Sequence, residues 1–68
     1  MIKLIHYESG ELEVQGYEKI ISANRNKVSL IFNGKELNIA GNDLKLSYFS
    51  YEELAIRGNI RSVEIEEK

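Results

Sequence analysis

His6 is the only histidine in the chain, and Glu8 stands two residues beyond it. A general base needs a group to deprotonate and a partner that orients it. The sequence offers nothing beyond Glu8 for either role, so His6 reads as a packed or surface residue. The serines Ser9, Ser22, Ser29, Ser47, Ser50 and Ser62 stand in no nucleophile-elbow context. Glu52–Glu53 and Glu66–Glu67 are adjacent pairs. Neighbours on a strand point to opposite faces, so these pairs read as solvated charges, not as acid and base. Asn42–Asp43 lacks the ligand spacing of a calcium loop. The glycines are isolated, which rules out a phosphate-cradling loop. There is no cysteine, which removes thiolate sites, and one histidine cannot build a polyhistidine site. The reading is a non-enzyme: no catalytic, cofactor-binding or metal-binding residue is assigned, and no cofactor is expected.

What remains is the chemistry of surfaces. Tyr48, Phe49 and Tyr51 crowd one stretch of chain and are the candidate partner-contact residues. In a small domain the plainer reading of such a group is packing in the core or at its rim. The alternative is a contact patch, because aromatic side chains supply much of the energy of interfaces. Only alternate members of a strand reach one face, so at least one of Phe49 and Tyr51 is expected to stay exposed.

The elements that must carry these side chains read as strands. No window shows the i, i+3, i+4, i+7 apolar spacing of a helix over three turns. Residues 2–7 form the first apolar run, with Glu8-Ser9-Gly10 as its turn. Leu12 and Val14 then alternate with polar neighbours, and Gly16 interrupts before residues 17–22 continue as strand. Asn24-Arg25-Asn26 is a polar turn. Asn33-Gly34 lies between two alternating runs, the preferred two-residue loop of a hairpin whose central residues both need positive φ. Gly41-Asn42 is read as a turn, Gly58-Asn59 as a break, and residues 49–53 as a loop rather than the helical turn that Ser50-Tyr51-Glu52-Glu53 could cap. The tail at residues 66–68 is expected to fray.

A six-residue pattern, Glu-Leu-x-(Val/Ile)-x-Gly, occurs three times, beginning at Glu11, Glu36 and Glu53. Each copy puts two apolar residues on one face and ends in a glycine, and an apolar residue follows: Ile20, Leu44 and Ile60. The starts are unevenly spaced, whereas a solenoid keeps a fixed period. The copies therefore read as strands with glycines at the corners of one small domain. The expected fold is all-β: a small twisted antiparallel meander or partly closed barrel of about six or seven short strands, with a short β-roll as the alternative. Gly16, Asn33, Gly34, Gly41 and Gly58 are its expected structural turns.

At 68 residues, net charge −2 and a pI of about 5.3, the chain is one domain, residues 1–68. Domains of this size bury only about 60% of their unfolded surface and usually need support. Without disulfides or metal, that support is self-association or docking onto another protein. Basic residues are scattered among acids, so nucleic acid is not an expected partner, although Lys19, Arg25 and Lys27 are available for a small patch. The N-terminal apolar run is too short for a signal peptide or a membrane span. The chain is expected to be soluble and cytoplasmic.

These residues also carry a family resemblance. From Leu12 to Ile65 the chain resembles the YabP/YqfC family of sporulation proteins of endospore-forming Firmicutes. The matching positions are Leu12, Val14, Gly16 and Ile20; Val28, Leu30 and Gly34; Leu37, Ile39, Gly41, Leu44 and Leu46; then Leu54, Ile56, Gly58, Ile60, Val63 and Ile65. Every one is structural, and a fold does not specify an activity. The resemblance implies a non-enzymatic accessory that acts in spore-envelope formation through protein–protein contacts. The residues alone leave two other readings: a small binding or inhibitor protein from a phage or mobile element, and a weak oligonucleotide-binding β-barrel. The barrel would need a basic groove beside its aromatics, and the sequence shows none.

Overall fold

The computed structural model describes residues 4–67. They form six strands: β1 (Leu4–Glu8), β2 (Glu11–Gln15), β3 (Tyr17–Ala23), β4 (Lys27–Phe32), β5 (Lys35–Phe49) and β6 (Glu53–Glu66). There is no helix among the described residues. All pairings are antiparallel, in one open sheet of order β1-β2-β6-β5-β4-β3. The all-β class and the antiparallel pairing are as the sequence indicates. β3 to β6 form a meander, but β2 pairs with β6, so the chain crosses the molecule between β2 and β3. Ile2 and Lys3, expected in the first strand, lie outside the described residues.

The turns explain the hairpins. Asn33 and Gly34 have φ of 55° and 76°, both positive as the tight hairpin requires. Ser9 and Gly10, at 52° and 79°, join β1 to β2 in the same way. Asn24 Oδ1 accepts hydrogen bonds from the Asn26 and Lys27 amides, at 2.8 and 2.9 Å, and so builds the β3–β4 turn. Residues 50–53 make a hairpin loop: the Ser50 amide donates to the Glu53 carbonyl at 2.8 Å. The Ser50-to-Glu53 spacing thus serves a β-turn and caps no helix.

Two expectations need correction. Gly41-Asn42 is not a chain reversal and Gly58-Asn59 is not a strand end; β5 and β6 run straight through them, with 15 and 14 residues. Strands rise about 3.3 Å per residue, so a straight β5 would be about 50 Å long. The longest dimension of the molecule is 28 Å; both strands must bend. Register shifts on either side of Gly41 mark the bend. There the two backbones nearly touch. A Cβ on Gly41 would fall far inside contact distance of the Asn59 carbonyl oxygen, and one on Gly58 would lie 2.5 Å from that of Asp43. The tail corrects a third point: Glu66 still pairs with Glu36, and Glu67 forms an ion pair with Lys35 at 3.5 Å. Lys68 lies outside the described residues.

The bend folds the sheet over a single core. One half comprises β1, β2, the first half of β6 and the second half of β5. The other comprises β3, β4, the first half of β5 and the second half of β6. Between them lie Leu12, Val14, Leu37, Ile39, Leu54 and Ile56, all fully buried, with Val28, Leu30, Leu44 and Tyr17. Those first six are the paired apolar positions of the three repeat copies. Copies one and three pair directly, Leu12 with Ile56 and Val14 with Leu54. On the far face Ser29 Oγ donates to Asn38 Oδ1 at 2.6 Å, so this buried polar pair satisfies itself.

The glycine contacts separate two otherwise similar substitutions. Gly41→Ala should cost about 3 kcal/mol or more, because backbone must move away from backbone. Gly34→Ala meets nothing within 4 Å and should cost only the left-handed strain, about 1–2 kcal/mol. Urea denaturation of the two variants checks the order.

Candidate functional site

Tyr48, Phe49 and Tyr51 do not form one patch. Leu46 pairs with Ile56, then Tyr48 with Ala55 and Phe49 with Leu54. Ser47 is therefore an extra residue on β5, a bulge that reverses which side chains face which way. Tyr48 turns to the outer face and Phe49 to the inner one. All three aromatics are exposed, at 54% for Tyr48, 61% for Phe49 and 89% for Tyr51. None belongs to the buried core. The aromatic that does is Tyr17, which the sequence reading placed in a strand without singling it out.

Phe49 and Tyr51 stand with Tyr17 and Ile20 around a shallow, mainly apolar dish of ≈ 460 Å³ where β3 meets the β5–β6 loop. The Tyr17 and Phe49 rings lie 6.4 Å apart, tilted by 32°, within the range of favourable aromatic pairs. Tyr17 Oη donates to the Ser50 carbonyl at 2.6 Å. Burial pushes the Tyr17 phenol above its ordinary pKa, so it keeps the proton it donates. The Gly16 amide donates to the Glu52 carbonyl at 2.7 Å. These two bonds fix the loop that presents Tyr51. Glu18 and Lys19 rim the dish and give it charges of both signs.

Tyr48 lines a different groove, of ≈ 280 Å³, on the outer face with Glu11, Glu13, Gln15 and Glu53. At its edge Glu11 accepts from Ser47 Oγ at 3.0 Å and Arg57 Nε at 3.2 Å. The Ser47 hydroxyl first, and then the Arg57 guanidinium, hold the Glu11 carboxyl below its usual range. These bonds tie the bulge on β5 to β2 and β6. His6 Nε2 lies 3.2 Å from Glu8 Oε1, and both side chains are at least half exposed. This is a surface contact without the desolvation or the third group that a catalytic pair needs. Among the described residues no three His, Asp or Glu side chains are placed to hold a metal ion. No helix among them is long and apolar enough to cross a membrane. Lys19 lies well along β3 from Arg25 and Lys27 at the next turn, so the three do not gather into a patch.

The arrangement is a mainly apolar surface with exposed aromatic rings, its loop tied down by the two bonds from Gly16 and Tyr17. Two measurements test how it is held. Tyr17→Phe should lower stability by about 1 kcal/mol through the lost bond to Ser50, and loosen the Tyr51 loop as read by amide hydrogen exchange. Ser47→Ala should raise the titration midpoint of the Glu11 carboxyl in carbon-13 spectra. Because that pKa is lowered in the folded state, the support from Glu11 is present above the ordinary carboxylate pKa. It fades as pH falls through the lowered value.

Comparison with known proteins adds one finding. A family model described as the YabP family matches residues 2–68. No curated protein and no solved structure matches the chain.

Proposed function

The chain belongs to the YabP family, a family of sporulation proteins with no known catalytic activity, and from that premise we infer a non-enzymatic accessory of spore-envelope formation. It acts from the cytoplasm by binding another protein. The dish around Phe49 and Tyr51 is its contact surface. The observation that carries this reading is the contrast within the dish. Tyr17 is buried, hydrogen-bonded and fixed, while Phe49 and Tyr51 beside it give most of their surface to solvent. Folding alone would gain more by covering those rings, since full burial of a large apolar side chain is worth about 1.5–3 kcal/mol. An interface gains from them because aromatic anchors that are already positioned lose little further freedom on binding.

Spore formation in the host organism provides the test. Deleting the gene should lower the yield of heat-resistant spores, and the wild-type gene should restore it. A Phe49→Ala, Tyr51→Ala double variant should accumulate normally, because both rings are largely exposed, yet fail to restore the yield. Normal spores in the deletion strain would sink the sporulation role. Full rescue by the double variant would sink only the dish.

A further inference from the structure

β6 is paired on both sides over its first half only. Residues 53–57 lie between β2 and β5, whereas residues 59–66 pair with β5 alone. Their other edge pairs with no strand among the described residues. The inner face of this half is unfinished as well. Val63 stands opposite Ile39, and Ile65 opposite Leu37. Ile39 and Leu37 are fully buried, yet Val63 is 43% and Ile65 59% exposed. Tyr7 on β1, 55% exposed, and the half-buried Ile60 continue the apolar row along a groove of ≈ 270 Å³ between β1 and β6. The sheet thus stops one strand short of covering its own core at this flank. The Phe49–Tyr51 dish lies at the opposite flank, where β3 meets the β5–β6 loop.

Monomeric proteins blunt such edges with lysine, proline or bulges. Residues 60–67 contain neither lysine nor proline. A bulge at Arg61, at the start of the segment, and the charges of its outer row are the devices present. The outer row of the same strand carries Ser62, Glu64 and Glu66, and Glu67 follows. The edge therefore offers open backbone groups, an apolar inner row and an acidic outer row.

We propose that the edge of β6 over residues 59–66 accepts an added strand from a protein partner, one in which aliphatic residues alternate with lysine or arginine. An added strand places alternate side chains on the two faces. Its aliphatic side chains would cover Val63, Ile65 and Tyr7, and its basic ones would meet Glu64 and Glu66. A second copy of this chain is the poorer occupant. Pairing β6 with β6 would bring four glutamates into one outer row, and like charges across a strand pair are destabilising. This strand-addition site goes beyond the dish and does not depend on it.

The probe is a capped peptide of alternating valine and lysine, seven residues long, titrated into the nitrogen-15-labelled protein. Shift changes should centre on the amides of residues 59–66 and on Tyr7, and should persist in the Phe49→Ala, Tyr51→Ala variant. A valine–glutamate peptide should leave those signals unmoved. Glu64→Lys with Glu66→Lys should weaken valine–lysine binding about tenfold and create binding to the valine–glutamate peptide. Val63→Thr with Ile65→Thr keeps strand-forming residues at exposed positions, so the fold should persist while binding is lost. Shifts confined to the dish, no shifts at all, or equal binding of both peptides would overturn the proposal. So would a dimer that protects the amides of residues 59–66 without peptide, because it would assign the edge to a second copy.

Discussion

The fold rests on one close approach: the crossing of two backbones at Gly41 and Gly58. β5 and β6 must bend there for the sheet to fold over its core, and a bend that tight leaves no room for a Cβ on either strand. The contacts are nearly reciprocal, Gly41 against Asn59 and Gly58 against Asp43. Asp43 itself takes a φ of 54°, one of only three non-glycine residues with positive φ among those described. Everything else follows from the bend. It brings β2 beside the first half of β6, sets Leu12 and Val14 against Ile56 and Leu54, and puts the two halves of the sheet around common apolar rows. A flat sheet of the same strands would leave one of those rows in water.

The repeat is the sequence form of this constraint. In each copy the leucine and the valine or isoleucine supply the core, and the glycine supplies the place where the chain changes direction. The alternation of polar and apolar residues made these rows legible, and Asn33-Gly34 made its hairpin legible, because both signals are local. The use made of the glycines was not legible. Gly16 ends a strand, with φ of 84°, whereas Gly41 and Gly58 lie inside strands that continue. A glycine that permits a turn and one that permits a close approach look alike until the neighbouring strand is known. For the same reason the described residues form six strands, two of them long.

The aromatic group shows where local reading stops. Alternation along 48–51 would put Tyr48 with Leu46, and Phe49 on the other face. The bulge at Ser47 breaks that phase. It is held by bonds to Glu11 and by pairing with β6, partners 36 and 8 residues away that no short window contains. Tyr17 was missed in the same way. Its hydroxyl finds Ser50 only because β3 folds against the end of β5. What could have flagged it is its position directly after Gly16, where the chain crosses from one sheet half to the other and a large side chain must fill the corner.

The two flanks of the sheet end differently, and the difference bears on how so small a domain is completed. At the β3 flank hydrogen bonds bridge the seam: the Gly16 amide donates to the Glu52 carbonyl, Tyr17 Oη to the Ser50 carbonyl, and the Leu44 amide to the Arg25 carbonyl at 2.8 Å. At the β1 flank no comparable bond joins β1 to β6 among the described residues, and the apolar row of Val63 and Ile65 stays in water. Among the described residues β1 pairs with β2 alone, so the second half of β6 keeps one unpaired edge. The chain thus invests its length in two long bent strands that make one core, and leaves the last edge unpaired. For a small domain without cysteine, that edge and the dish are the two surfaces proposed above for a partner, because there apolar side chains stay in water that the core does not cover.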